Sequence, residues 1–364
     1  MTLSAHRTAM AEVTNRPQEE RLPTARKDRL AGPVMAIRTF TKDDGTMDLD
    51  KQAFALDWVV NQGIQEGSGV IMLAAGGSEG YFMNDAEWEA QVKMGAGVCK
   101  GHVPTVAGVF ELSAREAVKK AEYAAKVGCD FVQVAPPHYM VPTNDEVFEH
   151  FKTINDSVDI GFMAYNTPWA MPAPGYDFNE NVLTRFLDLD NVEGVKWSTH
   201  DQSHFMTISR LFADKLSFID NQATNHLSLS IKLGFAGFIN SDGLVAPRLV
   251  LHLWDLWKQN RREEYDDLLL RIYVDPSLGL AQPEDITWTS MGEGPHGRIG
   301  MEALGMQMGP SFPAQMPLSD DSIRRRAESF AKGGIMEWVD WSNELWETAK
   351  AGKSTVAALA GDGD

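Results

Sequence analysis

The chain has 364 residues, 43% hydrophobic and 23% charged, the composition of a globular protein able to bury a large core. Its formal net charge of −18 sets it against nucleic acid and gives no help at an anionic membrane, so neither is expected as a partner. Acidic substrates stay open, because a few local cations can dominate the field inside a cleft.

Two cysteines, Cys99 and Cys129, cannot build a disulfide framework and suit a reducing compartment. In GAGVCKG and KVGCDFV both read as inert core thiols. The opening residues, MTLSAHRTAMAEVTNRPQEERLP, lack the apolar centre of a secretory signal. Arg7 and Arg16 suit a transit peptide, but Glu12, Glu19 and Glu20 count against one. No apolar stretch approaches the roughly 20 residues needed to cross a bilayer. The expectation is a cytoplasmic protein with a flexible N-terminal arm over residues 1–30.

Beyond the arm, short apolar runs alternate with longer helical patterns. The runs are PVMAI (33–37), GVIMLAA (69–75), TVAGV (105–109), FVQVA (131–135), GFMAY (161–165), VEGVK (192–196), LSFID (216–220) and AGFIN (236–240). Each is too short and too apolar for a strand with one wet face, so burial on both faces is expected. Between them, DKQAFALDWVVNQGI, DAEWEAQVKMGAGV, SAREAVKKAEYAAKVG and NDEVFEHFKTINDS repeat apolar residues at helical steps. Asp50, Asp85, Ser113 and Asn144 stand as N-caps, and Gly128 as a C-terminal stop. Eight strands alternating with helices predict an α/β fold, a parallel (β/α)₈ TIM barrel over residues 31–260. A doubly wound open sheet is the alternative; the count of eight favours the barrel.

Residues 261–364 predict a C-terminal helical extension. WDLWKQNRREEYDDLLLRIY and DDSIRRRAESFAKGGIMEWVDWSNELWETAKAG read as amphipathic helices. Asp275 to Pro317, rich in Gly, Pro and Met, reads as irregular loop, and STVAALAGDGD as a frayed tail.

Barrel chemistry sits at the C-terminal ends of strands, and two such ends stand out: Tyr165 in MAYNTP and Lys196 in GVKWS. Alternation places Lys196 on one face with Gly194 and Val192, and Tyr165 with Met163 and Gly161; the small glycines suit an inward face that leaves room for a ligand. A lysine desolvated inside a barrel has a lowered pKa, which frees the amine to attack a carbonyl. A strand-end lysine can equally reach the rim and solvent, and a buried tyrosine is often plain core; their pairing moves the balance toward function. As a catalyst Tyr165 would move protons while a carbinolamine forms and dehydrates.

These stretches carry a family resemblance over roughly Gly32 to Pro317. AAGGSEG (74–80), APPHYMVPT (135–143), AYNTP (164–168), GVK (194–196) and GFINSDGLVAP (237–247) resemble, in order, the motifs of the dihydrodipicolinate synthase / N-acetylneuraminate lyase superfamily of class I aldolases. The resemblance implies that Lys196 forms an imine with a pyruvate-type 2-keto acid and that Tyr165 is the central proton relay. Tyr139 would be a second relay tyrosine lent across a tight dimer. Gly76, Gly77 and Ser78 fall in the loop that grips the keto-acid carboxylate, and Ile239 offers a backbone carbonyl near the substrate. A homotetramer built as a dimer of dimers is implied, and no cofactor beyond the lysine imine.

The departures matter. The carboxylate loop usually reads G-T/S-T-G-E in the superfamily; here its paired hydroxyls are replaced by glycines, though Ser78 can restore one donor and Gly-rich backbone can still hold an anion. An arginine that synthases carry two residues after the proline of Y-N-x-P is Ala170 here, and Arg38 is the candidate replacement. The expected reaction is therefore retro-aldol cleavage or dehydration of a 3-deoxy-2-keto sugar acid. Dihydrodipicolinate-synthase-type condensation and a catalytically silent keto-acid-binding protein are the alternatives.

Weaker signals point elsewhere. His200 and His204 have the spacing of a helical metal pair but lack the glutamate of H-E-x-x-H, and no metal is expected. Gly292–Gly297 formally fits G-x-G-x-x-G but lies far from a first strand and contains Pro295, which argues against a nucleotide site. Trp254, Trp257, Trp338 and Trp341 read as packing or subunit contacts.

Overall fold

The computed structural model describes residues 26–277, 293–313, 315 and 317–351. Most of the expected arm, the middle of the 275–317 stretch and the tail after Ala351 lie outside the described residues.

Eight strands form a closed parallel barrel in chain order: β1 Gly32–Ala36, β2 Val70–Leu73, β3 Thr105–Val109, β4 Phe131–Val134, β5 Gly161–Tyr165, β6 Val192–Trp197, β7 Ser217–Asp220 and β8 Gly237–Ile239. Closure comes from β1 pairing β8, with Gly32 opposite Gly237. Nearly every strand residue is buried, as the uninterrupted apolar runs predict for strands covered on both faces. A small inner cluster fills the barrel axis, including Val34, Val70, Met72, Val106, Phe131, Met163 and Ile219. A far larger cluster lies between strands and helices.

The covering helices are α1 Leu49–Asn61, α2 Asp85–Cys99, α3 Ala114–Val127, α4 Asn144–Asn155, α5 Glu180–Phe186 and α6 Gln202–Phe212, then the short α7 Ala223–His226 and α8 Leu229–Leu233, and α9 Pro247–Lys258. Three of the four expected N-caps shift by one or two residues. Asp48, rather than Asp50, accepts from the Lys51 amide. Asn84 with Glu87, and Thr143 with Glu146, form capping boxes in place of caps at Asp85 and Asn144. The reason is geometric: the capping oxygen must reach an amide three residues on, where a glutamate reaches back. Ser113 caps α3 without a side-chain hydrogen bond, and Gly128 ends it at φ 92°.

The C-terminal region is helical and strand-free among its described residues: α10 Arg262–Leu269, α11 Glu293–Ala303, α12 Asp320–Gly333 and α13 Asn343–Ala351. Here α11 corrects the expectation of irregular loop over 275–317. Its proline sits in the first turn, where no amide donor is needed. Gly294 and Gly297 serve close packing. The tryptophans pack within the chain: Trp254 lies 6.1 Å from Trp257, Trp341 meets Trp58 edge-on at 5.4 Å, and Trp338 stacks on His252. Both cysteines are buried free thiols, and burial pushes Cys129 up to about 12 and Cys99 well above its usual range. No helix among the described residues is long and apolar enough to cross a membrane.

Candidate active site

Lys196 and Tyr165 are register partners on β6 and β5. Their alignment depends on an irregularity. Phe162 pairs Val192, but the next residue, Met163, pairs Gly194, so Glu193 is an extra residue in β6. Without it the register would place Lys196 opposite Asn166, on the other face from Tyr165, because a slip of one residue exchanges faces. The bulge also corrects the simple alternation expected for β6: Val192 packs in the outer layer, while Gly194 and Lys196 turn inward. Nor do the glycines leave room for a ligand. A Cβ on Gly161 would meet the Phe131 ring at 2.4 Å, and one on Gly194 the Ser217 carbonyl at 2.6 Å and Leu30 at 3.1 Å. Both glycines admit the side chains that plug the barrel below the site.

Above that plug, Lys196 is 3% exposed and its Nζ lies 4.1 Å from the centroid of the Tyr165 ring. Burial lowers the Lys196 pKa; Glu293 opposes this and Arg38 adds to it. Tyr165 is held well above its usual range by burial and by Glu293, with hydrogen bonds to Thr167 and Asn221 pulling the other way. Asn166, next along, ties the two strand ends together. Its amide donates to the Lys196 carbonyl at 3.1 Å, its Nδ2 to the Ser198 carbonyl and to Asp177, both at 2.7 Å.

Gly76, Gly77 and Ser78 form one buried turn after β2. The turn is framed by two non-glycine residues at positive φ, Ala74 at 45° and Glu79 at 62°, the kind of backbone strain that surrounding structure must hold in place. Thr39 Oγ1 donates to the Ser78 carbonyl at 2.6 Å, and Gln91 Nε2 donates in turn to Thr39 Oγ1. The Ser78 hydroxyl itself is buried without a partner. Arg38, at the end of β1, donates from Nη1 to the Gly77 carbonyl at 2.6 Å.

A cavity of about 160 Å³ opens here, lined among others by Arg38, Gly77, Lys196, Ile239, Glu293 and His296. It suits a ligand of a few heavy atoms, well below the volume of drug-sized sites. The structure thus gathers Lys196, Tyr165, Arg38, Gly76, Gly77, Ser78 and Ile239 at the C-terminal mouth of the barrel. Tyr139 is not among the cavity's lining residues; it is 78% exposed, on the loop after β4. His200 and His204 do not converge on the cavity either: His204 Nε2 pairs with the Phe178 carbonyl, and His200 precedes the helix. No group of three or more metal-ligating side chains forms among the described residues.

Helix α11 supplies what the sequence reading missed. Its first residue, Glu293, places Oε1 3.3 Å from the Tyr165 hydroxyl. His296 is pushed down to about 4 by burial, with Arg326 and Arg38 adding to the effect, so it is neutral at neutral pH. Arg298 anchors the helix through a buried ion pair with Glu79, its Nε 2.9 Å from Oε2, both side chains 1% exposed. The signal that could have found this helix is the glycine pattern set aside as a nucleotide motif. A Cβ on Gly294 would meet Glu79 at 2.5 Å, and one on Gly297 the Arg38 guanidinium at 2.4 Å. The glycines let the helix backbone lie against the strained turn and against Arg38.

Comparison with known proteins places the chain in a family. The dihydrodipicolinate synthetase family profile matches residues 29–273. A 4-hydroxy-tetrahydrodipicolinate synthase of Gluconacetobacter diazotrophicus is 26% identical over 309 residues, 84% of this chain and 97% of the relative. One from Hyphomonas neptunium is 30% identical over 225 residues, 61% and 74% of the two chains. The crystal structure of the dihydrodipicolinate synthase of Acinetobacter baumannii, complexed with pyruvate, superposes with a TM-score of 0.69 at 20% identity, covering 84% of this chain and 99% of that one.

Proposed function

The chain belongs to the dihydrodipicolinate synthetase family of carbon–carbon lyases, and from that premise we propose that it joins a small pyruvate-type 2-keto acid to Lys196 as a Schiff base and makes or breaks the carbon–carbon bond at C3. The observation that carries the reading is the buried Lys196 amine over the Tyr165 ring, in a small cavity beside Arg38.

The chemistry follows from the geometry. A lysine desolvated in this way has a larger neutral fraction, and only the neutral amine attacks a carbonyl. Tyr165 keeps its proton because its pKa is raised, so it can donate to the carbinolamine oxygen as water leaves. The protonated imine then serves as the electron sink for charge developing at C3, so the reaction needs no resident cofactor. Arg38 and the Gly76–Ser78 turn supply the positive potential and the open backbone for the substrate carboxylate, and the buried, unpartnered Ser78 hydroxyl supports that assignment. Ile239, on the cavity wall, is proposed to offer its carbonyl to the substrate. The exposed Tyr139 suits a relay residue lent to a neighbouring protomer, in the homotetramer, a dimer of dimers, that the resemblance implies.

The names of the curated relatives favour dihydrodipicolinate-synthase-type condensation, an alternative on sequence, over cleavage or dehydration of a 3-deoxy-2-keto sugar acid. The same enamine serves all three reactions; what differs is the electrophile or leaving group at C3 and C4. Borohydride trapping followed by intact-mass measurement, with pyruvate and separately with a 3-deoxy-2-keto sugar acid, tests the reading. Preferential trapping of pyruvate, with consumption of an added aldehyde, is expected. Preferential trapping of the sugar acid with release of a dehydrated product would turn the assignment to dehydration, and no adduct with either acid would overturn it.

A further inference from the structure

Glu293 lies 20 residues beyond the segment matched by the family profile, which ends at residue 273, yet it lines the cavity beside Tyr165. One hydrogen bond and a close approach to Gly76 place it there. Its Oε1 meets the Tyr165 hydroxyl at 3.3 Å. Its other oxygen lies close over Gly76: a Cβ there would sit 3.0 Å from Oε2 and 3.2 Å from Cδ, a tight contact that the carboxylate would have to shift to relieve. The glycine at 76 thus lets the carboxylate from α11 lie close against the turn. Glu293 lies against Gly76, while Gly77 and Arg38 line the cavity and remain for the substrate's own carboxylate. The helix is held independently, by the buried Arg298–Glu79 pair, so Glu293 is not needed to dock it.

We propose that Glu293 is the acid–base partner of Tyr165, completing a proton relay from the substrate through Tyr165 to a carboxylate; this rests on the Schiff-base reading above. When the C3–H bond of the Lys196 imine breaks, its proton passes to the Tyr165 oxygen while the phenolic proton passes to Glu293 Oε1. The C–H electron pair becomes the C2=C3 bond and the C=N π pair settles on nitrogen. An enamine and a protonated Glu293 result, and neither oxidant nor reductant is required. Addition of an electrophile at C3 forms an alkoxide, which takes the proton back along the same path. A carboxylate suits this task where a hydroxyl does not, since it can hold the proton between the two half-steps. It also relieves Tyr165, whose raised pKa makes a free phenolate costly.

The test compares wild type with Glu293→Gln, which keeps the side-chain volume and the hydrogen-bonding capacity. Two readouts are taken on each: borohydride trapping of pyruvate, and exchange of the pyruvate C3 protons in D₂O followed by NMR across pH. The relay predicts that Glu293→Gln still traps pyruvate while exchanging its protons about 100-fold more slowly or worse. It also predicts that the variant loses the carboxylate limb of the pH profile, and that Glu293→Asp keeps that limb with a reduced rate. Exchange by Glu293→Gln at the wild-type rate, or with an unchanged pH limb, overturns the proposal and leaves the Schiff-base reading intact. Loss of trapping and exchange together in a folded Glu293→Gln overturns it too, because Glu293 would then assemble the site rather than carry protons. Failure of the wild type to trap pyruvate overturns the Schiff-base reading and the relay with it.

Discussion

Tyr165 and Lys196 face each other across β5 and β6 because one extra residue, Glu193, shifts the register between Phe162 and Tyr165. The pairing brings Lys196 Nζ within 4.1 Å of the ring centroid, so the phenol limits water around the amine and stands ready to exchange protons with whatever the amine binds. Replacing Tyr165 by Phe keeps the ring and removes the hydroxyl. Imine trapping by Tyr165→Phe is expected to be slower but to reach completion, while turnover falls about 10²- to 10⁴-fold. Single-turnover kinetics beside borohydride trapping checks the split.

Arg38 donates to the Gly77 carbonyl in the strained turn, and a Cβ on Gly297 would overlap its guanidinium. Losing a charge-assisted hydrogen bond costs about 1.5–3 kcal/mol, so Arg38→Ala should raise the keto-acid KM by roughly one to two orders of magnitude. Gly297→Ala should give a milder increase, because its Cβ would displace only the flexible end of Arg38. Steady-state kinetics on both variants checks the order.

The Arg298–Glu79 pair joins a helix far along the chain to the loop after β2. Arg298→Met leaves a buried carboxylate uncompensated and should cost about 3–5 kcal/mol of stability. The double variant Arg298→Met with Glu79→Gln should recover part of that loss, since no buried charge remains. Urea unfolding of the single and double variants measures the difference.

Much of this was readable beforehand, and the exceptions share causes. All eight strands were legible because burial on both faces leaves uninterrupted apolar runs with no competing pattern. Lys196 and Tyr165 were legible because the motifs around them fix strand ends. The bulge at Glu193 was not, because VEGVK carries no sign that two of its residues oppose a single partner; that belongs to the pairing, not to the strand. Glu293 was hidden by composition: GEGPHGRIG reads as loop until the close approach of Glu79 and Arg38 explains Gly294 and Gly297. The caps at Asn84 and Thr143 could have been found from the glutamate three residues on.

His150, buried in α4 beside Phe151, is pushed down to about 4 by burial, with His138 adding to the effect. Its folded pKa lies below the ordinary histidine value of 6.5, so the unfolded chain binds a proton that the folded chain resists. The associated stability is complete above pH 6.5 and is lost as pH falls toward 4, amounting to about 3 kcal/mol. Thermal unfolding between pH 7 and pH 4 should show a shallower decline in His150→Leu than in wild type; identical slopes would contradict the assignment.

The measurement that bears most directly on the account is the site of covalent attachment. The enzyme is treated with pyruvate and borohydride, digested, and sequenced by tandem mass spectrometry, with Lys196→Arg run in parallel. The account predicts one reduced pyruvyl adduct, on Lys196, with yield rising with pH as the lowered amine pKa is crossed, and none in the variant. An adduct on another lysine, or equal labelling of Lys196→Arg, would contradict it.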